Sequence, residues 1–165
     1  VKLYLCRHGE AVDGSEELPD ELRWLTAEGR RGVTEVGAVL RDEEEEPDLI
    51  LTSPLVRAVQ TADHLAHAVR YKGQIQVLAS LAPGGRLGLV VAALAELPPD
   101  VRGVYLVGHE PQMSDWTAAL SAGAAFNRKF HKGGVARLSW KHSPEPGTGK
   151  AGFYLSPSHL KPEPF

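Results

Sequence analysis

A chain of 165 residues, 42% hydrophobic and 24% charged, has the size and composition of one soluble domain with room for a proper core. Its formal net charge of -3 gives no general reason to bind nucleic acid or an anionic membrane, so any anion site must be built locally. No apolar run reaches the roughly 20 residues that cross a bilayer, no basic-then-apolar leader opens the chain, and the single cysteine excludes an internal disulfide. The expectation is a cytoplasmic protein.

Residues 1–6 form an apolar run that reads as a short buried strand, and Arg7-His8-Gly9-Glu10 follows it directly. After a polar, acidic loop through Pro19, Thr26 is placed to cap a helix running to about Leu40 or Arg41, with Val33, Val36, Val39 and Leu40 at helical spacing. The acidic run 43–46 before Pro47 reads as a solvated helix end without a function. Residues 48–52 read as a second strand. Ser53 as cap and Pro54 at the first helical position then open a helix with Val56, Val59, Ala62, Leu65 and Ala66 on its apolar face. Residues 74–78 suggest a third strand. Gly84-Gly85 turns into a helix over about 87–97, which Pro98-Pro99 stops, and residues 101–107 suggest a fourth strand. Gly108-His109-Glu110-Pro111 leads into a helix ending near Ser121. Runs at 134–140 and 152–155 suggest a closing antiparallel pair, with a short tail over about 156–165. The repeated strand–loop–helix order predicts one α/β domain over 1–165 with a mostly parallel sheet, without internal repeats or a linker.

Open α/β sheets bind ligands beyond the carboxyl ends of their strands. His8 after the first strand, Arg57 after the second and His109 after the fourth all fall at such boundaries. An imidazole is a capable nucleophile and a guanidinium holds two phosphate oxygens at once. Gly9 would let backbone amides approach the same anion, and helix starts at Ser53-Pro54 and Glu110-Pro111 would aim free N–H groups at it. Two arginines, two histidines and helix N-termini suit a phosphoryl group, which carries about −1.5 to −2 charge and three acceptor oxygens.

Arg7-His8-Gly9, the run Ser53-Pro54-Leu55-Val56-Arg57-Ala58-Val59-Gln60-Thr61 and Gly108-His109 resemble the defining segments of the histidine phosphatase (phosphoglycerate mutase-like) superfamily. Short length, compact loops, Arg23-Trp24-Leu25-Thr26 and the stretch from Tyr154 to Lys161 resemble its SixA branch, the bacterial phosphohistidine phosphatases. The resemblance implies a phosphoglycerate mutase-like three-layer sandwich, its sheet flanked by helices. It implies that His8 attacks phosphorus and is transiently phosphorylated, inside a pocket of Arg7, Arg57 and His109, with no metal and no other cofactor. Arg23, Gly9 and Glu110 are the candidates for substrate contact.

One departure bears on the substrate. Ester-cleaving members of the superfamily commonly carry an acid near the end of the third strand, whereas residues 78–83 here hold no carboxylate. A general acid typically contributes about 10²–10⁴ in rate, and a phosphorylated imidazole demands less of one than an alkyl phosphate does. Glu10 and Glu110 remain candidate substitutes. The implied partner is a phosphohistidine-bearing signalling protein, such as a histidine-phosphotransfer domain, with no nucleic acid or membrane involved. The alternatives are a phosphomonoesterase acting on small phosphorylated metabolites and a non-catalytic phosphate- or phosphohistidine-binding module.

Other motifs carry less. Cys6 as a cysteine-phosphatase nucleophile would need an arginine six residues on, where Val12 stands, so it reads as a small packing residue. His64 and His67 lie three apart without a companion ligand set. Gly84-Gly85-Arg86 lacks the Lys-Ser/Thr of a phosphate-binding loop, and Trp24, Trp116 and Trp140 read as core or rim packing.

Overall fold

The computed structural model describes residues 1–123 and 126–165. Its first strand, β1 (Lys2–Arg7), shows how the sheet is built. Leu3 and Leu5 point into one apolar layer while Tyr4 and Cys6 point into another, because side chains alternate across a strand. After it come α1 (Ala27–Asp42), β2 (Leu49–Thr52), α2 (Val56–Ala68), β3 (Ile75–Val77), α3 (Leu87–Ala95), β4 (Gly103–Gly108), α4 (Gln112–Leu120), β5 (Val135–Ser139), β6 (Lys150–Ser156) and β7 (His159–Pro164). Single 3₁₀ turns occupy Asp20–Leu22 and Ala79–Leu81.

Among the described residues the strands form one mixed seven-stranded sheet in the order β3-β2-β4-β1-β5-β6-β7. The half from β3 to β1 is parallel and the half from β1 to β7 antiparallel. Both faces are covered, as the parallel strands require. Val33, Val36 and Leu40 of α1 and Ala58, Ala62 and Leu65 of α2 pack with Tyr4, Cys6, Ile50, Tyr105 and Val107. Val90 and Leu94 of α3 and Met113, Trp116 and Leu120 of α4 pack with Leu3, Leu5, Leu51, Val104 and Leu106 on the other side. The helices α1 and α2 approach closely at Gly37, where a Cβ would lie 2.5 Å from the Cβ of Ala68.

Thr26 caps α1 as the sequence predicts, accepting a 3.0 Å hydrogen bond from the Gly29 amide. Several expectations change. Residues 156–165 do not trail as a tail: most of them form β7, which closes the antiparallel edge against β6. The helix α2 starts at Val56, so Pro54 lies outside it, and Val59 faces solvent at 37% exposure instead of joining the apolar stripe. α3 ends at Ala95, short of the predicted 97.

The acidic run after α1 is not simply solvated. Glu44 takes a left-handed conformation (φ 55°), and the Glu45 amide returns to the Leu40 carbonyl at 2.9 Å, closing the helix end. That turn buries Glu45. Its carboxylate accepts from Lys2 Nζ at 2.8 Å, Arg137 Nη1 at 3.1 Å and the Tyr4 hydroxyl, and its carbonyl accepts from the Tyr105 hydroxyl at 2.7 Å. Cys6 is fully buried, and burial raises its thiol far above the ordinary range, so it packs as a small apolar group. Trp116 and Trp140 are buried, whereas Trp24 stays 44% exposed.

Candidate active site

Parallel pairing brings the carboxyl ends of β1, β2 and β4 level, with Arg7 opposite Gly108 and Thr52 opposite Val107. The next residue of each chain continues the ladder or sits beside it. The His8 amide bonds the Gly108 carbonyl at 3.0 Å and the Ser53 amide bonds the Val107 carbonyl at 2.9 Å. His8, Ser53 and His109 therefore emerge together, and the two imidazoles lie with centroids 5.2 Å apart.

The tautomer of His8 follows from its partners. Nδ1 lies 2.7 Å from the Gly9 carbonyl, which can only accept, so Nδ1 carries the proton and Nε2 holds the lone pair. Arg57 Nε donates to that lone pair at 3.3 Å. Burial pulls the His8 imidazole down to about 3 from its ordinary 6.5; the Gly9 carbonyl opposes this, and the neighbouring His109, Arg57 and Arg7 reinforce it. His109 is lowered to about 4, chiefly by burial and then by the Arg57 charge. Both rings are neutral near pH 7. His109 Nε2 shares a 2.7 Å hydrogen bond with the Ser53 hydroxyl, while its Nδ1 is buried without a partner.

Arg57 sits in the first turn of α2 and is 5% exposed. Besides His8 it reaches the Asp20 carbonyl through Nη1 at 2.7 Å and the Asp20 carboxylate through Nη2 at 3.1 Å. The second oxygen of Asp20 accepts from Arg23 Nη1 at 2.9 Å, and Arg23 Nε donates to the Val12 carbonyl at 2.7 Å. Arg7 Nη1 donates to the Phe130 carbonyl at 2.7 Å, and its Nε is buried without an acceptor. Arg7 also borders a cavity of about 410 Å³ lined by Glu10, Lys129, His131 and Lys132.

The structure thus brings His8, Arg57 and His109 into one cluster and joins Arg23 to it through Asp20. Gly9 and Glu110 are placed differently from expectation. The Gly9 amide is taken by Thr61 Oγ1 at 3.0 Å, and the residue is a glycine for packing: a Cβ would meet Val33 Cγ2 at 2.8 Å and the Gly29 carbonyl at 3.1 Å. Glu110 folds back on α4, where its carboxylate accepts from the Ser114 amide at 2.8 Å and the Ser114 hydroxyl at 2.6 Å. It occupies a helix N-terminal amide that the sequence leaves free for an anion. At the end of β3, the turn Ala79–Leu81 carries no carboxylate. No group of three or more His, Cys, Asp or Glu among the described residues, the His64–His67 pair included, is arranged to hold a metal ion.

Sequence reasoning missed the supports of the cluster. Thr61 Oγ1 donates to the Arg57 carbonyl at 2.7 Å while holding Gly9, and Gln60 Oε1 accepts from the Leu25 amide at 2.7 Å. Both lie within the motif that begins at Ser53. Asp20 had only one signal, its position three residues before Arg23.

Taken together, the strand ends set a neutral imidazole, its lone pair turned toward a guanidinium, at the carboxyl edge of an α/β sheet. Residues 3–82 match the histidine phosphatase superfamily (branch 1), and the chain belongs to that superfamily, with its phosphoglycerate mutase-like fold. It is 40% identical over 141 residues to an uncharacterized protein of Picosynechococcus sp., covering 84% of each chain. It is also 28% identical to the phosphohistidine phosphatase SixA of Escherichia coli, over 98% of this chain and 97% of that one. The solved structure of the protein histidine phosphatase SixA complexed with tungstate superposes with a TM-score of 0.86, at 28% identity, over 98% of this chain and all (100%) of that one.

Proposed function

We propose that the protein is a cytoplasmic, metal-independent phosphohistidine phosphatase that removes phosphate from a protein-borne phosphohistidine through a phosphorylated His8. The observation that carries this reading is the Nδ1–H of His8 on the Gly9 carbonyl, which leaves Nε2 unprotonated at the edge of Arg57. The similarity to SixA supports the substrate class, and the single cysteine, reduced and buried, suits the compartment.

In the first step Nε2 attacks phosphorus as the P–N bond to the substrate imidazole breaks. A substrate ring protonated on its other nitrogen leaves as neutral imidazole, so no proton donor is required. His8 now bears the phosphoryl group on Nε2 and keeps its proton on Nδ1, held by Gly9. In the second step water attacks phosphorus, the P–N bond to His8 breaks, and the ring returns to its neutral starting tautomer as dihydrogen phosphate forms. Arg7 and Arg57 offset the oxygen charge throughout. The phosphoryl dianion beside His109 favours its charged form, which then donates a hydrogen bond.

An alkyl ester would need a proton for its leaving oxygen. The turn after β3 has no acid and Glu110 is bound to Ser114, which leaves Glu10, beside Arg7 in the cavity, as the one candidate donor still standing and supports phosphohistidine over phosphomonoesters. The substrate protein would be a histidine-phosphotransfer domain or another signalling protein carrying phosphohistidine. Initial rates on such a phosphorylated domain, on phosphoramidate and on a panel of phosphate esters test the reading. The N–P substrates are expected to turn over faster. Faster ester cleavage would make the protein a phosphomonoesterase, and stoichiometric binding without phosphate release would make it a binding module.

A further inference from the structure

The Arg57 guanidinium, central to the cluster, is already occupied by an anion from the protein itself. Asp20 gives it both a backbone carbonyl and one carboxylate oxygen. The arrangement is lopsided. Arg57 is nearly buried with its side chain 6% exposed, whereas the Asp20 side chain is 61% exposed and reaches the guanidinium from the solvent side. The Asp20–Leu22 turn contributes no buried residue to the core, so little packing resists a shift of the carboxylate. Arg23, anchored on the Val12 carbonyl, already holds the other carboxylate oxygen. A carboxylate released from Arg57 therefore keeps a partner, while the Asp20 carbonyl keeps the turn beside the site.

We propose that Asp20 is an internal competitor for the phosphoryl group: its carboxylate holds Arg57 in the empty enzyme, yields it to the incoming phosphoryl oxygens, and reclaims it as phosphate departs. The inference rests on the phosphoryl-pocket reading above. It gives a pocket of two arginines a physical means of releasing its product. A carboxylate and a phosphate dianion cannot share one guanidinium edge without strong repulsion, so the departing anion is replaced by one that cannot diffuse away. The same exchange tunes affinity for any phosphoryl substrate, because every one must displace Asp20.

Calorimetric titration of the full chain with orthophosphate and with tungstate tests the proposal, using wild type, Asp20→Asn and Asp20→Ala. Asparagine keeps the shape and an acceptor for Arg57 while removing the charge. Both variants are expected to bind the oxyanions about five- to twentyfold more tightly, with an equal fall in the product-inhibition constant for phosphate. If Asp20 only held Arg57 in place, affinity would instead fall, most in the alanine variant. Unchanged or weakened binding in both variants overturns the proposal. Failure of every form to bind either oxyanion overturns the phosphoryl-pocket reading and the proposal with it; wild-type binding without tightening defeats the proposal alone. The exposure of Asp20 keeps folding out of the comparison, and thermal melting checks it.

Discussion

Two buried charge clusters sit at opposite ends of the same strands, and they are balanced in opposite ways. At the amino end of β1, the Glu45 carboxylate is met by Lys2, Arg137 and the Tyr4 hydroxyl, and its carbonyl by the Tyr105 hydroxyl. Arg137 Nε is left over there, but the anion that holds the cluster together is itself buried. At the carboxyl end, Arg7 Nε has no acceptor, His109 Nδ1 has no partner, and among the described residues the carboxylate that reaches Arg57 comes from an exposed turn. Buried polar groups are normally matched, so a cluster gathered on its own buried carboxylate reads as structure, and one whose carboxylate is lent by an exposed turn reads as room for another anion. The lesson is that burial of charge does not distinguish function from stability. Where the balancing anion comes from does.

Removing members of each cluster should separate the two. His8→Ala is expected to abolish turnover of phosphohistidine substrate while the fold survives, and Arg57→Ala to lower kcat/KM by about 10³–10⁵. Glu45→Ala should behave in the reverse way. It leaves the Tyr4 hydroxyl buried without its acceptor and is expected to cost about 2–4 kcal/mol in urea denaturation, with kcat/KM changed less than about twofold. Normal activity in His8→Ala, or a catalytic defect in a well-folded Glu45→Ala, would break the contrast.

The strand ends were legible in the sequence because parallel pairing leaves little freedom: once residues 1–6, 48–52 and 101–107 are strands, His8, Ser53 and His109 must leave one edge together. Thr26 was legible for the same kind of local reason, a cap three residues before the Gly29 amide it accepts. Glu45 and Asp20 were not. Each lies in an acidic stretch that looks solvated, and its partners are distant in the chain, Arg137 by 92 residues and Arg57 by 37. Ser53 resembled a helix cap, and its hydroxyl instead meets His109, 56 residues away. The strand β7 was hidden by Pro162 and Pro164, which lack the N–H of a central strand and are tolerated on this edge.

The carboxyl-end cluster should also be the more sensitive to acid. His8 and His109 are held at about 3 and about 4, against an ordinary value of 6.5. Between pH 6.5 and 4 the unfolded chain binds protons on these rings that the native protein does not. Stability therefore rises with pH across this window and is lost as pH falls, by up to about 1.4 kcal/mol per pH unit for each histidine. Urea midpoints at pH 7, 6, 5 and 4 should show this slope in wild type and a smaller one in His109→Gln. Equal slopes would mean that burying these rings is not what costs the pocket stability. Saturating orthophosphate should flatten the wild-type slope as well, because a bound anion favours the protonated ring in the native state.

The smallest expected effect concerns how the cluster is supported. Gly9 separates His8 from α1, with its amide on Thr61 and no room for a Cβ beside Val33 and the Gly29 carbonyl. Gly9→Ala must push the end of β1 away from α1 or displace Val33, at a cost of about 1–2 kcal/mol. Because the Gly9 carbonyl also fixes the His8 tautomer, even a shift of a few tenths of an ångström loosens the Nδ1–H bond that leaves Nε2 free. Activity should then fall by about tenfold, more than the stability loss alone explains at a temperature where the variant is fully folded. Restoring space with Gly9→Ala/Val33→Ala should recover most of that activity. Recovery places the defect in packing; a double variant as slow as Gly9→Ala would mean that alanine harms the site through the backbone of residue 9 itself.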